Sequence, residues 1–95
     1  MTEGLTDKQR FRGEDGKRGF GMLTERGLDW SLEASSKPPR AAAWVRGRKA
    51  ERIEVRHPNC FTAALRMFDA VRESDLGVTH AGRVAGHQLA LDGVA

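Results

Sequence analysis

The chain of 95 residues contains a single cysteine, and no apolar run in it approaches the length of a membrane span. Cys60 cannot form an internal disulfide bond, which fits a reducing compartment. A membrane-spanning helix needs about 20 apolar residues, and the polar segment 1–10 lacks the apolar core of a secretion signal. We therefore expect a cytoplasmic protein that has no membrane partner.

Aromatic residues are also scarce, and tyrosine is absent. The six aromatic residues are Phe11, Phe20, Trp30, Trp44, Phe61 and Phe68. A chain of this length, with 39% hydrophobic residues, supports one domain with a modest core. Thr6 and Gln9 have the spacing of a capping box, but Gly13 ends such a helix within two turns. We expect residues 1–16 to form a flexible N-terminal segment and residues 17–95 a single small α+β domain.

Alternating apolar and polar residues predict strands in the first half of the chain. Leu28, Trp30 and Leu32 alternate with polar residues, which places one apolar face on a core. Small and apolar residues precede this segment over 18–24, so the pattern predicts a hairpin over about 18–34. After the break at Pro38-Pro39, a second hairpin is predicted over about 42–56.

Helical periodicity predicts the second half. Asn59 is a good N-cap residue, and Phe61, Leu65 and Phe68 then recur at the spacing of one helix face. This pattern predicts a helix over about 60–74, and a weaker pattern predicts another over about 79–91. The resulting fold class is α+β, with a small antiparallel sheet or partial barrel of two hairpins followed by one or two C-terminal helices.

The net charge of +3 is unevenly distributed. The window 37–56 contains seven Lys and Arg residues against two Glu residues, a net charge of +5. A basic block of this kind is typical of a surface that contacts phosphates. The alternative is that these residues simply keep the surface soluble.

The segment Arg18–Leu23 (RGFGML) resembles the ribonucleoprotein motif of nucleic-acid-binding strands. Its order along the chain is similar to that of the cold-shock family, as is the later segment Gly47–Val55, so that the resemblance covers residues 8–56. It implies an OB-fold barrel in which Phe20 stacks on a base while neighbouring cations contact phosphates. The alternative interpretation, an ordinary strand that places Phe20 in the core, remains open.

From the basic block and this motif we predict a non-catalytic protein that binds nucleic acid, single-stranded RNA or DNA before duplex. Lys17, Arg18 and Phe20 would form one contact strip. Further phosphate contacts are assigned to Arg46, Arg48, Lys49, Arg52 and Arg56.

Other chemistry has weaker support. Two pairs of possible zinc ligands, His57 with Cys60 and His80 with His87, match no zinc signature, and Cys60 beside Phe61 is typical of a packed residue. There is no phosphate-binding loop. We therefore predict no enzyme activity, no cofactor and no metal site.

A competing hypothesis is a small protein-interaction module, such as an adaptor, a regulator or a phage or mobile-element protein. It would bind a protein partner, or form a homodimer, through the apolar helix face Phe61–Val71.

Overall fold

The computed structural model of the protein describes residues 4–78, which form a mixed α+β fold. This confirms the predicted fold class, with an antiparallel sheet of three strands that is not closed into a barrel. In chain order the elements are α1 (Asp7–Arg12), α2 (Glu14–Glu25), β1 (Leu28–Glu33), β2 (Arg40–Val45), β3 (Ile53–Arg56) and α3 (Cys60–Glu73). A 3₁₀ turn, Lys49–Glu51, lies between β2 and β3.

The strands are ordered β1-β2-β3, and both neighbouring pairs are antiparallel. The hairpin predicted over 42–56 is confirmed as β2–β3. The hairpin predicted over 18–34 is wrong, because its first half is helical and β1 pairs instead with β2 across the proline-containing loop.

The sheet has two different faces because side chains alternate along each strand. One face carries apolar residues that pack against the helices: Leu28, Leu32, Ala41, Ala43, Val45, Ile53 and Val55. The register places Asp29, Ser31, Glu33, Arg40, Ala42, Trp44, Glu54 and Arg56 on the other face. We call this second surface the open face, since none of the α-helices within residues 4–78 packs on it and the 3₁₀ turn Lys49–Glu51 borders it.

Helix α3 confirms the prediction for 60–74. It begins after Asn59, whose Oδ1 accepts hydrogen bonds from the backbone N–H groups of Phe61 at 2.8 Å and Thr62 at 3.2 Å. Its apolar face is buried: Leu65 is 7% exposed and Phe68 2% exposed. The second helix predicted over 79–91 lies outside the described residues.

The strand predicted over 18–24 is wrong, because this segment belongs to α2. Close packing between helices explains two of its three glycines. A Cβ atom at Gly19 would lie 2.3 Å from the Phe68 ring, and one at Gly16 would lie 1.7 Å from the carbonyl oxygen of Phe11. The glycines therefore allow α2 to approach α3 and α1 closely, as glycine does wherever a Cβ atom would clash.

Helix α1 occupies part of the segment predicted to be flexible. Thr6 caps it and forms the predicted capping box with Gln9, and Gly13 follows its last residue. Phe11 packs against the hydrophobic core, so α1 belongs to the same packed unit as the sheet. Within residues 4–78, no helix is long and apolar enough to cross a membrane.

Gly19→Ala should destabilise the protein, whereas Gly21→Ala should stabilise it slightly. A Cβ atom at position 19 overlaps the buried Phe68 ring, and overpacking of this kind costs about 1–3 kcal/mol. Gly21 is exposed and a Cβ atom there meets nothing within 4 Å, so alanine should gain up to about 1 kcal/mol of helix propensity. Urea unfolding followed by circular dichroism measures both free energies of unfolding.

Gly21→Ala serves as the matched control, because both substitutions add one methyl group to the same helix. Equal stabilisation by the two variants would show that α2 does not pack closely against Phe68.

Candidate nucleic-acid interface

The structure separates the eight predicted contact residues into two groups on opposite sides of the sheet. Lys17, Arg18 and Phe20 lie on α2, in the helical layer. The other five lie on the open face or in the β2–β3 loop beside it: Arg46, Arg48, Lys49, Arg52 and Arg56. The first group cannot share one contact strip with the second, since the sheet stands between them.

Phe20 is part of an aromatic cluster that joins the helices to β1. Its ring centroid lies 5.1 Å from that of Phe68, 5.6 Å from that of Phe11 and 4.7 Å from that of Trp30. The side chain is half-buried. Of the two interpretations left open by the sequence, the packed Phe20 fits this geometry, although the residue lies on a helix rather than on a strand.

Trp44 is the aromatic residue of the open face, and it is not among the contact residues predicted from the sequence. It is half-buried on β2, and the Lys49 Nζ atom lies 4.8 Å from the centroid of its ring. A cation over an indole face gains a favourable electrostatic interaction. The indole and the ammonium group are therefore held together at the surface.

Most arginines of the open face form ion pairs with carboxylates. The Arg46 Nη2 atom lies 3.1 Å from Asp29 Oδ1. Glu54 pairs with two arginines, since Arg52 Nε lies 3.0 Å from its Oε1 atom and Arg56 Nη2 lies 2.8 Å from its Oε2 atom. The hydrogen bond from Arg52, together with Arg56, holds the pKa of Glu54 below its ordinary value. Glu54 is therefore ionised at neutral pH and keeps both guanidinium groups in position.

Two cations of the β2–β3 loop have weaker partners. The Arg48 Nη1 atom lies 3.9 Å from Glu51 Oε1, and both side chains are 68% exposed. Lys49 has no carboxylate within ion-pair distance among residues 4–78 and rests on Trp44 instead. The Gly47 turn, with a φ of +87°, presents both cations at the end of the hairpin.

A shallow depression of about 170 Å³ lies in the middle of the open face. Its floor is formed by two small residues, Ser31 and Ala42, which are directly opposite in the β1–β2 register. Longer charged side chains form its walls: Glu33, Arg40, Lys49, Arg52 and Glu54. The depression exists because small side chains in the centre are surrounded by long ones.

Two residues of this surface, Arg40 and Trp44, were missed from the sequence. Both alternate with Arg46 and Ala42 along one face of β2. The alternation is visible in the sequence, but the sequence alone does not say which of the two alternating sets faces away from the core.

The residues considered as zinc ligands do not form a cluster in the described part of the chain. The Nδ1 atom of His57 accepts a hydrogen bond from the backbone N–H group of Asn59 at 3.0 Å. No group of three His, Cys, Asp or Glu residues that could hold a metal ion occurs within residues 4–78. His80 and His87 lie outside the described residues.

Comparison with known proteins gives no independent assignment. No protein-family model matches the chain, and neither a curated protein nor a solved structure does. The open face itself is therefore the basis for a functional assignment.

Proposed function

We propose that this protein binds nucleic acid without catalysis and that the open face of the sheet is its contact surface. One observation carries the proposal: Trp44 lies beside Lys49 on a sheet surface that no helix within residues 4–78 covers. The open face and the adjoining loop carry six basic residues against four acidic ones, a net charge of +2. They are Arg40, Arg46, Arg48, Lys49, Arg52 and Arg56 against Asp29, Glu33, Glu51 and Glu54.

The cations favour a phosphate-bearing partner. Arg48 and Lys49 are exposed and weakly paired, so phosphates can reach them without breaking a strong ion pair. The arginines paired with Glu54 keep unused N–H donors, since a guanidinium group carries five. Binding would release the counterions of the bound phosphates, which makes the affinity depend on salt.

Trp44 favours single strands. Base stacking on an aromatic side chain contributes about 1–3 kcal/mol per base, and an unpaired base offers a whole face for it.

Only part of the segment that resembles the cold-shock family supports this proposal. Its segment Gly47–Val55 borders the open face, whereas Arg18–Leu23 is helical.

A single reduced cysteine agrees with our further proposal of a cytoplasmic location.

Replacing both Arg48 and Lys49 with alanine should weaken binding about tenfold, the factor expected for roughly 0.7 kcal/mol per lost cation. The slope of log affinity against log salt concentration should become shallower by about 1.4, at about 0.7 per phosphate contact. Fluorescence anisotropy of a labelled single-stranded oligonucleotide at about 50 and 200 mM salt measures both quantities.

The double variant Lys17→Ala/Arg18→Ala is the matched control. It removes the same charge from the helical layer, on the side of the sheet away from the open face, and should lose less than about twofold in affinity. Equal losses in the two double variants would mean that net charge alone drives binding and would overturn the assignment to the open face. Absence of binding at about 50 mM salt would overturn the proposed function.

The competing protein-interaction hypothesis has less support from the packing of residues 4–78. The helix face Phe61–Val71 packs into the core, where Ala64 is 1% exposed and Val71 is fully buried. Most of that face is therefore occupied by the core, while Phe61 at its beginning is half-buried.

A further inference from the structure

We infer that the depression on the open face holds one unpaired guanine base, an inference that rests on the proposed function. The small floor formed by Ser31 and Ala42 is the only part of the described open face on which neither strand β1 nor strand β2 carries a long side chain. Ala42 is itself only 2% exposed, so a flat base would lie across the depression between the long side chains that border it, rather than directly on the floor.

The register sets the dimensions of the depression. Glu33 pairs with Arg40 two residues along the strands from the Ser31–Ala42 pair, and Asp29 pairs with Trp44 two residues in the other direction. Two residues of a strand span about 7 Å. A base above the floor would therefore have the Asp29–Trp44 strand pair on one side and the Glu33–Arg40 ion pair on the other.

The Glu33–Arg40 pair presents a donor beside a carboxylate. Arg40 donates a hydrogen bond from Nη2 to Oε1 of Glu33, and Glu33 Oε2 accepts no hydrogen bond from residues 4–78. Glu54 differs, because both of its oxygens already accept hydrogen bonds from arginines. Glu33 is thus the carboxylate with acceptor capacity to spare.

Guanine is the base that complements this pair. Its Watson–Crick edge carries the O6 acceptor followed by two adjacent donors, N1–H and the N2 amino group. A carboxylate can accept from both donors while an arginine N–H donates to O6. Adenine and cytosine present an acceptor beside a single donor group, and uracil has one donor between two acceptors, so these bases can satisfy the arginine N–H but donate to the carboxylate from one site only, whereas guanine donates from two. A bidentate contact of this kind discriminates between bases by about 5- to 150-fold.

The remaining walls suit the rest of the nucleotide. Lys49 and Arg52 border the same depression and can contact the phosphates on either side of the base. The Ser31 hydroxyl on the floor adds a donor and acceptor near the base plane.

The test uses labelled uridine oligonucleotides that contain one central guanosine, inosine or adenosine. Inosine keeps O6 and N1–H but lacks the N2 amino group. We expect the guanosine oligonucleotide to bind about tenfold more tightly than the adenosine one, with inosine between them. Glu33→Gln should reduce the preference for guanosine over adenosine to less than twofold.

Glu51→Gln is the matched control, because it removes the same charge from the exposed loop outside the depression. This variant should keep the guanosine preference. Glu33 is 45% exposed, so its replacement should leave the free energy of unfolding nearly unchanged, which urea unfolding verifies.

The outcomes separate this inference from the proposed function. Salt-dependent binding with equal affinity for the three oligonucleotides would overturn the guanine site and leave the proposed function standing. A preference that survives Glu33→Gln would also overturn the site. Absence of binding to every oligonucleotide at about 50 mM salt would overturn both.

Discussion

Phe68→Ala is expected to lower the free energy of unfolding by about 3–5 kcal/mol, the range measured when a buried phenylalanine is removed. The Phe68 ring is 2% exposed and lies between helices and sheet. Its centroid is 5.1 Å from that of Phe20 and 6.4 Å from that of Phe11. Domains of this size have a total stability of about 5–15 kcal/mol, so the variant should be close to unfolding at 37 °C. Urea unfolding monitored by circular dichroism measures the loss.

Phe61→Ala is the matched control for this prediction. Phe61 belongs to the same aromatic cluster, with its ring centroid 5.4 Å from that of Phe11, but it is only half-buried. The same deletion there should cost clearly less, about 1–2 kcal/mol, because less apolar area is buried. Equal losses in the two variants would contradict the central place of Phe68 in the core.

The parts of the fold that the sequence predicted are those with a strong local signal. Helix α3 combines an N-cap at Asn59 with an uninterrupted apolar stripe, and its observed bounds differ from the predicted ones by one residue. The strand β1 was likewise predicted from strict alternation, from residue 28 to 34 against the observed Leu28–Glu33. Where local preference and tertiary packing agree, the sequence is sufficient.

Helix α2 was missed because its local preference opposes its packing. Gly16, Gly19 and Gly21 each cost about 1 kcal/mol in a helix relative to alanine, and the resemblance of Arg18–Leu23 to a nucleic-acid-binding strand favoured the interpretation as a strand. The contacts of two of these glycines with Phe11 and Phe68 exist only in the folded chain. A helical signal was nevertheless present, since the buried residues Gly16, Gly19 and Leu23 recur at spacings of three and four.

Only part of the candidate site could be predicted from the sequence, because the rest depends on tertiary structure. Charge identified the basic block around Arg48 and Lys49, but the side of the sheet on which a residue lies depends on the pairing register. The same error that made α2 a strand placed Phe20 beside the basic block, although α2 lies on the other side of the sheet. Trp44 lies on the side of the sheet away from the helices, which the sequence does not reveal until the strand register is known.

Arg26→Met is expected to destabilise the protein by about 2–4 kcal/mol. The Arg26 Nη1 atom lies 2.8 Å from the carbonyl oxygen of Val71, 3.1 Å from that of Leu76 and 3.3 Å from that of Ser74. These carbonyls lie in the last turn of α3 and just after it, where a cation also interacts favourably with the helix dipole. Methionine keeps the aliphatic volume but removes the donors, and hydrogen bonds to charged groups contribute about 1.5–3 kcal/mol each.

Two further variants separate this contact from a general effect of charge. Arg26→Lys keeps the positive charge but loses the planar guanidinium group, so its destabilisation should fall between zero and that of Arg26→Met. Arg66→Met removes the same group from the exposed side of α3 and should change the stability by less than about 0.5 kcal/mol. If Arg26→Met were as mild as Arg66→Met, the end of α3 would be held by its own turn, through the 3.0 Å bond from the Ser74 N–H group to the Val71 carbonyl, and not by α2.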